Sequence, residues 1–195
     1  LYEKAQTPLE WHEPLYSYAR KKKIKIFSTP FSPDGVDFLE KLNTQIYKVS
    51  SFEMNDLNLI KKIASTKKPM IISTGLADLE EIEKTVNIAK KFGCKDLTLL
   101  YCVSNYPSDS IDFNLNSINI LKKKFKCKVG LSDHSIGLII PCLAVSKGAE
   151  VIEKHICLKN VNSVDSKFSL KDNEIKEFST LLKSTYKITI GNGFL

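Results

Sequence analysis

The chain has 195 residues, 43% hydrophobic and 26% charged, with 8 Gly and 7 Pro, a balance that excludes collagen-like, low-complexity and disordered classes and suffices for one substantial core. Its net charge of +7 raises the question of nucleic acid. The lysines at Lys21–Lys23, Lys61–Lys62, Lys67–Lys68, Lys90–Lys91 and Lys122–Lys128 fall mostly at the ends of predicted helices, where cations complement the helix dipole, and no aromatic residues interleave with them as base stacking requires, so no nucleic-acid partner is expected.

In chain order, a helix is expected over Glu10–Lys23, then a strand over Ile24–Ser28 and a helix over Pro33–Leu42. A second strand, Ile46–Ser50, leads to a helix over Asn55–Ser65, and a third, Met70–Thr74, to a helix over Leu79–Phe92. In that helix Leu79, Ile82, Val86 and Ala89 recur at helical spacing, Asp78 is placed to cap the start and Gly93 to stop the end. Strands Leu97–Cys102, Lys128–Ser132 and Val151–Ile156 follow, with helices Leu115–Phe125, Leu138–Lys147 and Lys171–Tyr186 after them.

Strands that are nearly continuous in Val, Ile and Leu, alternating with helices, predict a parallel sheet covered on its outer face. No GxGxxG follows any strand, and polar residues end almost every strand rather than clustering at one switch point. This favours a TIM-type (β/α)8 barrel over an open doubly wound sheet. About six βα units are present where a closed barrel needs eight, so either the sheet is of a different kind or the chain is an incomplete barrel that lacks its front. The five cysteines contain no CxxC and mostly sit in apolar runs, which predicts reduced thiols and a cytoplasmic protein. The longest apolar stretch, Leu138–Val145, is far short of the ~20 residues of a membrane span.

Side chains at the carboxyl ends of barrel strands converge on one site. Here those ends carry Ser28–Phe31, Lys48–Glu53, Ser73–Gly75, Tyr101–Pro107, Gly130–His134 and Glu153–His155. His134 and His155 end consecutive strands; parallel neighbours lie ~4.8 Å apart, so the two imidazoles can reach one divalent ion acting as a Lewis acid, the alternative being two buried, hydrogen-bonded histidines. Asp133 and Glu153 are the expected acceptors orienting the rings. Lys48, the only lysine inside an apolar strand rather than on a helix face, reads as a fixed cation for phosphate or carboxylate, as a Schiff-base nucleophile, or as a snorkelling surface lysine. Ser50, Ser51, Ser73, Thr74 and Ser132 favour the anion role. Asp165 and Ser166, in the loop after the last strand, read as a polar turn or a substrate contact.

Phe27–Phe31, Lys48–Glu53, Ile72–Gly75, Gly130–His134 and Val151–His155, in this order, resemble the sialic acid synthase family, and the match runs from about Leu1 to about Tyr186. Leu1–His12 and Lys167–Leu170 resemble its pseudaminic acid synthase branch more than its N-acetylneuraminate branch. The resemblance implies a transferase that condenses phosphoenolpyruvate with an N-acetylated amino sugar, forming a nonulosonic acid and releasing phosphate. It implies that His134 and His155 hold a divalent metal, typically Mn²⁺, with Mg²⁺ or Co²⁺ as alternatives. Lys48, Ser51, Ser73 and Ser132 match positions that hold phosphoenolpyruvate, Glu53 an acidic residue of the same pocket, and Ser104, Tyr106 and Asp165 positions near the sugar. It further implies a homodimer, two βα units ahead of Leu1 and a C-terminal antifreeze-like domain, so that residues 1–187 form a partial barrel and 188–195 a tail. Tyr101 stands where many relatives have His, and Cys157 where many have Thr. Open alternatives are an N-acetylneuraminate or legionaminate synthase, a Schiff-base aldolase using Lys48, and an inactive truncated remnant.

Overall fold

A computed structural model describes residues 7–191. Helices α1 (Leu9–Lys22) and α2 (Pro33–Lys41) precede the first strand, β1 (Tyr47–Val49). Then follow α3 (Leu57–Ser65), β2 (Met70–Ser73), α4 (Leu79–Lys91), β3 (Leu97–Cys102), α5 (Asn116–Phe125), β4 (Lys128–Asp133), α6 (Ile139–Ser146) and β5 (Ile152–Lys154). Two short strands, β6 (Ile156–Cys157) and β7 (Leu170–Lys171), and a long helix α7 (Ile175–Ile190) complete the described chain.

The five main strands pair in sequence order, all parallel, as a curled half-barrel. Strand alternation sorts their side chains onto two faces. Tyr47, Val49, Met70, Ile72, Leu97, Leu99, Val129 and Leu131 point outward and join one core with Leu59, Ile63, Val86, Ile118 and Ala144 from the helices. Lys48, Ser73, Cys102, Ser132 and Glu153 occupy the other, concave face. The apolar strand residues therefore bury the helices, and the polar ones are left to line the inside.

Local signals explain most boundaries. Asp56 caps α3 by accepting from the amides of Asn58 and Leu59, at 3.0 Å each. Asp78 and Glu81 form the capping box of α4, and Gly93, at φ +113°, adopts the left-handed conformation that ends it.

Three expectations are corrected. Ile24–Ser28 joins no ladder, so five strands pair in the main sheet rather than six. Its hydrogen bonds go elsewhere: the Ile24 amide donates back to Ala19 of α1, and the Tyr16 hydroxyl reaches Ser28 Oγ at 3.4 Å. Val151–Ile156 is not one strand, because the chain leaves the main sheet after Lys154 and pairs as β6 with β7; His155 sits at that break. The last helix starts at Ile175 rather than Lys171, since Leu170–Lys171 are taken by β7, and it runs to Ile190. Leu1–Gln6 and residues 192–195 lie outside the described residues. Among the described residues no helix is long and apolar enough to cross a membrane, and all five cysteines are unpaired.

The curl leaves no room for a side chain at Gly130. A Cβ there runs into the Val151 carbonyl and lies 2.8 Å from Leu100 Cδ2. Gly130→Ala is expected to cost about 1–3 kcal/mol of stability, read from urea unfolding; an unchanged midpoint contradicts that contact.

Candidate active site

At the carboxyl end of the sheet the concave face turns from apolar to polar. Lys48, from β1, is nearly buried, its side chain 10% exposed. Its ammonium donates to Ser73 Oγ across the β1–β2 pair at 2.8 Å and to the Val49 carbonyl at 3.1 Å, and stands 3.6 Å from Glu153 Oε2. Glu153 in turn accepts from Ser132 Oγ at 2.7 Å, its register partner on β4. Ser73, Lys48, Glu153 and Ser132 therefore form a continuous row across the site, a hydroxyl at each end and the ammonium and carboxylate between them.

The loops after β1, β2 and β3 supply a second group. Ser51 Oγ accepts from the Gly75 amide at 3.1 Å. A Cβ at Gly75 would collide with Ser104 Oγ and lie 3.1 Å from Cys102 Sγ, so Ser51, Gly75, Cys102 and Ser104 are packed together. Burial raises the Cys102 thiol pKa, and hydrogen bonds from Ser104, Ser51 and Ser132 pull it back in part. Glu53, in the loop after β1, accepts from Ser50 Oγ. Burial raises its carboxyl above the ordinary 4.5, opposed in part by a backbone hydrogen bond and by the Lys48 charge.

The two imidazoles complete the constellation, their ring centroids 5.3 Å apart. His134, just past β4, is buried, and burial is the main cause that lowers its pKa, keeping the ring neutral. Its Nδ1 lies 3.2 Å from the Val103 carbonyl, an atom that can only accept, so that nitrogen carries the proton. His155 Nδ1 is 3.1 Å from Asp165 Oδ2. Tyr106 covers His134 with centroids 4.3 Å apart, and Phe168 meets both imidazoles edge-on, at 6.0 and 5.0 Å.

All ten residues expected at the site lie at this end of the sheet: His134, His155, Lys48, Glu53, Ser51, Ser73, Ser104, Tyr106, Ser132 and Asp165. Two supporting expectations are corrected. Asp133 and Glu153 do not orient the rings: Asp133 bonds Lys154 and Ser135, and Glu153 bonds Ser132 and faces Lys48. The orienting acceptors are Val103 O and Asp165. Lys48 is not the only lysine inside a strand, because Lys154 of β5 is more deeply buried, its side chain 4% exposed. Cys102 and Phe168 were not among the expected site residues; a short apolar-flanked Cys and a single Phe carry no signal of their own until strand pairing places them.

The donor set suits a divalent ion. His134 Nδ1 faces the Val103 carbonyl and His155 Nδ1 faces Asp165, the arrangement that in neutral rings leaves each Nε2 lone pair free for a metal. Among the described residues no group of three or more His, Cys, Asp or Glu side chains gathers as a complete ligand set, so this pair would leave further positions for water or substrate.

The raised Glu53 pKa has a stability consequence. The unfolded chain releases this proton near the ordinary value, so above it the folded state binds more protons and stability falls as pH rises through the window up to the folded value. Glu53→Gln removes that penalty. Its stability relative to the parent is expected to grow from pH 4.5 upward and then level off, as followed by thermal unfolding across pH; a constant offset contradicts the shift.

A family model described as the NeuB family matches residues 1–193. The chain is 45% identical to a pseudaminic acid synthase of Campylobacter jejuni, covering 100% of this chain and 57% of that protein. It is 41% identical to an N,N'-diacetyllegionaminic acid synthase of the same species, covering 98% and 58%. Its fold matches the crystal structure of an N-acetylneuraminic acid (sialic acid) synthetase from Leptospira borgpetersenii in complex with citrate, with a TM-score of 0.91 at 35% identity, over 98% of this chain and 67% of that one. The chain thus spans little more than half the length of the curated relatives it matches.

Proposed function

Because the chain belongs to the NeuB family, we propose that it carries most of the active site of a synthase condensing phosphoenolpyruvate with an N-acetylated amino sugar, giving a nonulosonic acid of the pseudaminic type and phosphate. The observation that carries this reading is the pairing of two imidazoles, centroids 5.3 Å apart, with an anion cradle on the same concave face.

C3 of the enol forms a bond to the sugar's aldehyde carbon, water adds at C2, and the C2–O bond breaks so that phosphate departs with its bridging oxygen. Lys48, with Ser51, Ser73 and Ser132, holds the phosphate and carboxylate of the enol in attack geometry, a positioning effect that counts most when the carbanion-like carbon must face the carbonyl. The Lys48 ammonium already sits beside Ser73 Oγ, so its charge needs little reorganisation to meet an anion. Glu53, its carboxyl raised above the ordinary value by burial, is placed to exchange the proton of the attacking water. Tyr106 and Asp165 flank the imidazoles where the sugar would lie. A divalent ion on His134 and His155, Mn²⁺ in the leading reading, would supply Lewis-acid polarisation of the aldehyde.

The pseudaminic assignment over legionaminic or N-acetylneuraminic acid rests on the higher identity to the pseudaminic acid synthase, 45% against 41%. A Schiff-base role for Lys48 is disfavoured by its charged environment, since Glu153 stands 3.6 Å from the ammonium. The test is phosphate release from phosphoenolpyruvate with each amino sugar in turn and Mn²⁺ present. It is run on the 195-residue chain and on a form extended to its relatives' length through the flanking reading frame. Release that requires the sugar, in either form, is the expected result. Borohydride trapping of substrate on Lys48, or release indifferent to the sugar, overturns the proposal.

A further inference from the structure

Behind the site, on the outer face of the sheet, lies a polar cluster with no place in the chemistry above. Lys154 and Asp133 are register partners on β5 and β4, and theirs is the last rung of that ladder. Their side chains are 4% and 0% exposed, and Lys154 Nζ is 2.6 Å from Asp133 Oδ2. The same ammonium donates to the Ser135 carbonyl at 2.5 Å, while Asp133 Oδ1 accepts from the Ser135 amide at 2.9 Å and the Ser135 hydroxyl at 2.6 Å. A buried ion pair is a costly way to hold two strands, because desolvation opposes the Coulombic gain, so stability alone does not account for it.

Its position does. His134 lies between Asp133 and Ser135, the two residues that Lys154 grips, and His155 is the residue after Lys154. Beyond this rung the strands part, β4 into the turn before α6 and β5 into β6, so the ladder reaches the two histidines only at this last rung; past it the His134 carbonyl accepts from the Ser108 amide and the His155 carbonyl from the Leu170 amide, and neither bond joins one histidine to the other. We infer that the Lys154–Asp133 ion pair is a strap that fixes the separation of His134 and His155. Lys154 is thus a positioning residue acting through the backbone from the face opposite the rings. That the strap tunes metal affinity rests on the metal reading above; that it fixes ring spacing does not.

Lys154→Met alone strands a buried carboxylate and endangers folding. The informative variant is the double change Asp133→Asn with Lys154→Met, which keeps an oxygen for Ser135 and fills the lysine stem without any charge. With three histidines in the chain, imidazole NMR is simple to assign. In the intact metal-free protein, ring-to-ring NOE cross-peaks between His134 and His155 are expected. In the double variant they should weaken several-fold, while the His12 signals and the thermal midpoint stay near the parent's. A Mn²⁺ titration should then show affinity lowered roughly 10–100-fold, the usual effect of disturbing groups behind a metal ligand. Unchanged cross-peaks in the double variant overturn the strap, whatever the metal does. Failure of the parent to bind Mn²⁺ overturns the metal reading instead and leaves the cross-peaks to decide the strap.

Discussion

His134→Ala and His155→Ala are each expected to lower metal-dependent condensation by at least about 10³-fold, since Lewis-acid stabilisation is worth several kcal/mol and each 1.36 kcal/mol is tenfold in rate. The two variants separate chemistry from folding. His155 is half-buried, its side chain 37% exposed, and its removal frees Asp165 and one edge contact of Phe168, so the fold should be little affected. His134 is buried beneath Tyr106 and bonded to the Val103 carbonyl, so its removal also loosens the loop after β3. Steady-state phosphate release at saturating Mn²⁺, with circular dichroism on each variant, is the check. Full activity without either imidazole contradicts the metal role.

The second large effect is expected at Lys48. Lys48→Ala removes a buried ammonium that bonds Ser73 and faces Glu153, leaving Glu153 without its cation in the proposed anion cradle. A hydrogen bond to a charged group is worth about 1.5–3 kcal/mol, so KM for phosphoenolpyruvate should rise roughly 10–100-fold. Amino-sugar binding should be little changed, because Tyr106 and Asp165, proposed above to flank the sugar, are held by contacts at the imidazole end. Isothermal titration with each substrate separately decides the matter. A selective loss of sugar binding contradicts the assignment.

The parallel sheet and the site were legible because each rests on a local pattern. Continuous Val, Ile and Leu runs mark buried parallel strands, and polar residues at their carboxyl ends mark where the chain turns out of the core. What was not legible depends on pairing. Ile24–Ser28 has the composition of a strand, but joining a ladder requires a paired neighbour, and its Ile24 amide is taken by Ala19 of α1 instead. Val151–Ile156 reads as one apolar run, yet the need of Leu170–Lys171 for a partner draws Ile156 and Cys157 into a second sheet. The roles of Asp133, Glu153 and Lys154 follow from register and alternation. Glu153 shares the concave face with Ser132, whereas Asp133 and Lys154 meet on the other, and neither relation exists in the sequence before β4 and β5 are paired.

Anomalous scattering from a crystal soaked with Mn²⁺ bears most directly on the idea that both imidazoles serve one cation beside the anion cradle. The expected result is a single peak bonded to Nε2 of His134 and of His155, each on the order of 2 Å away, as is usual for imidazole ligands. A peak held by other residues, or none at saturating Mn²⁺, contradicts it.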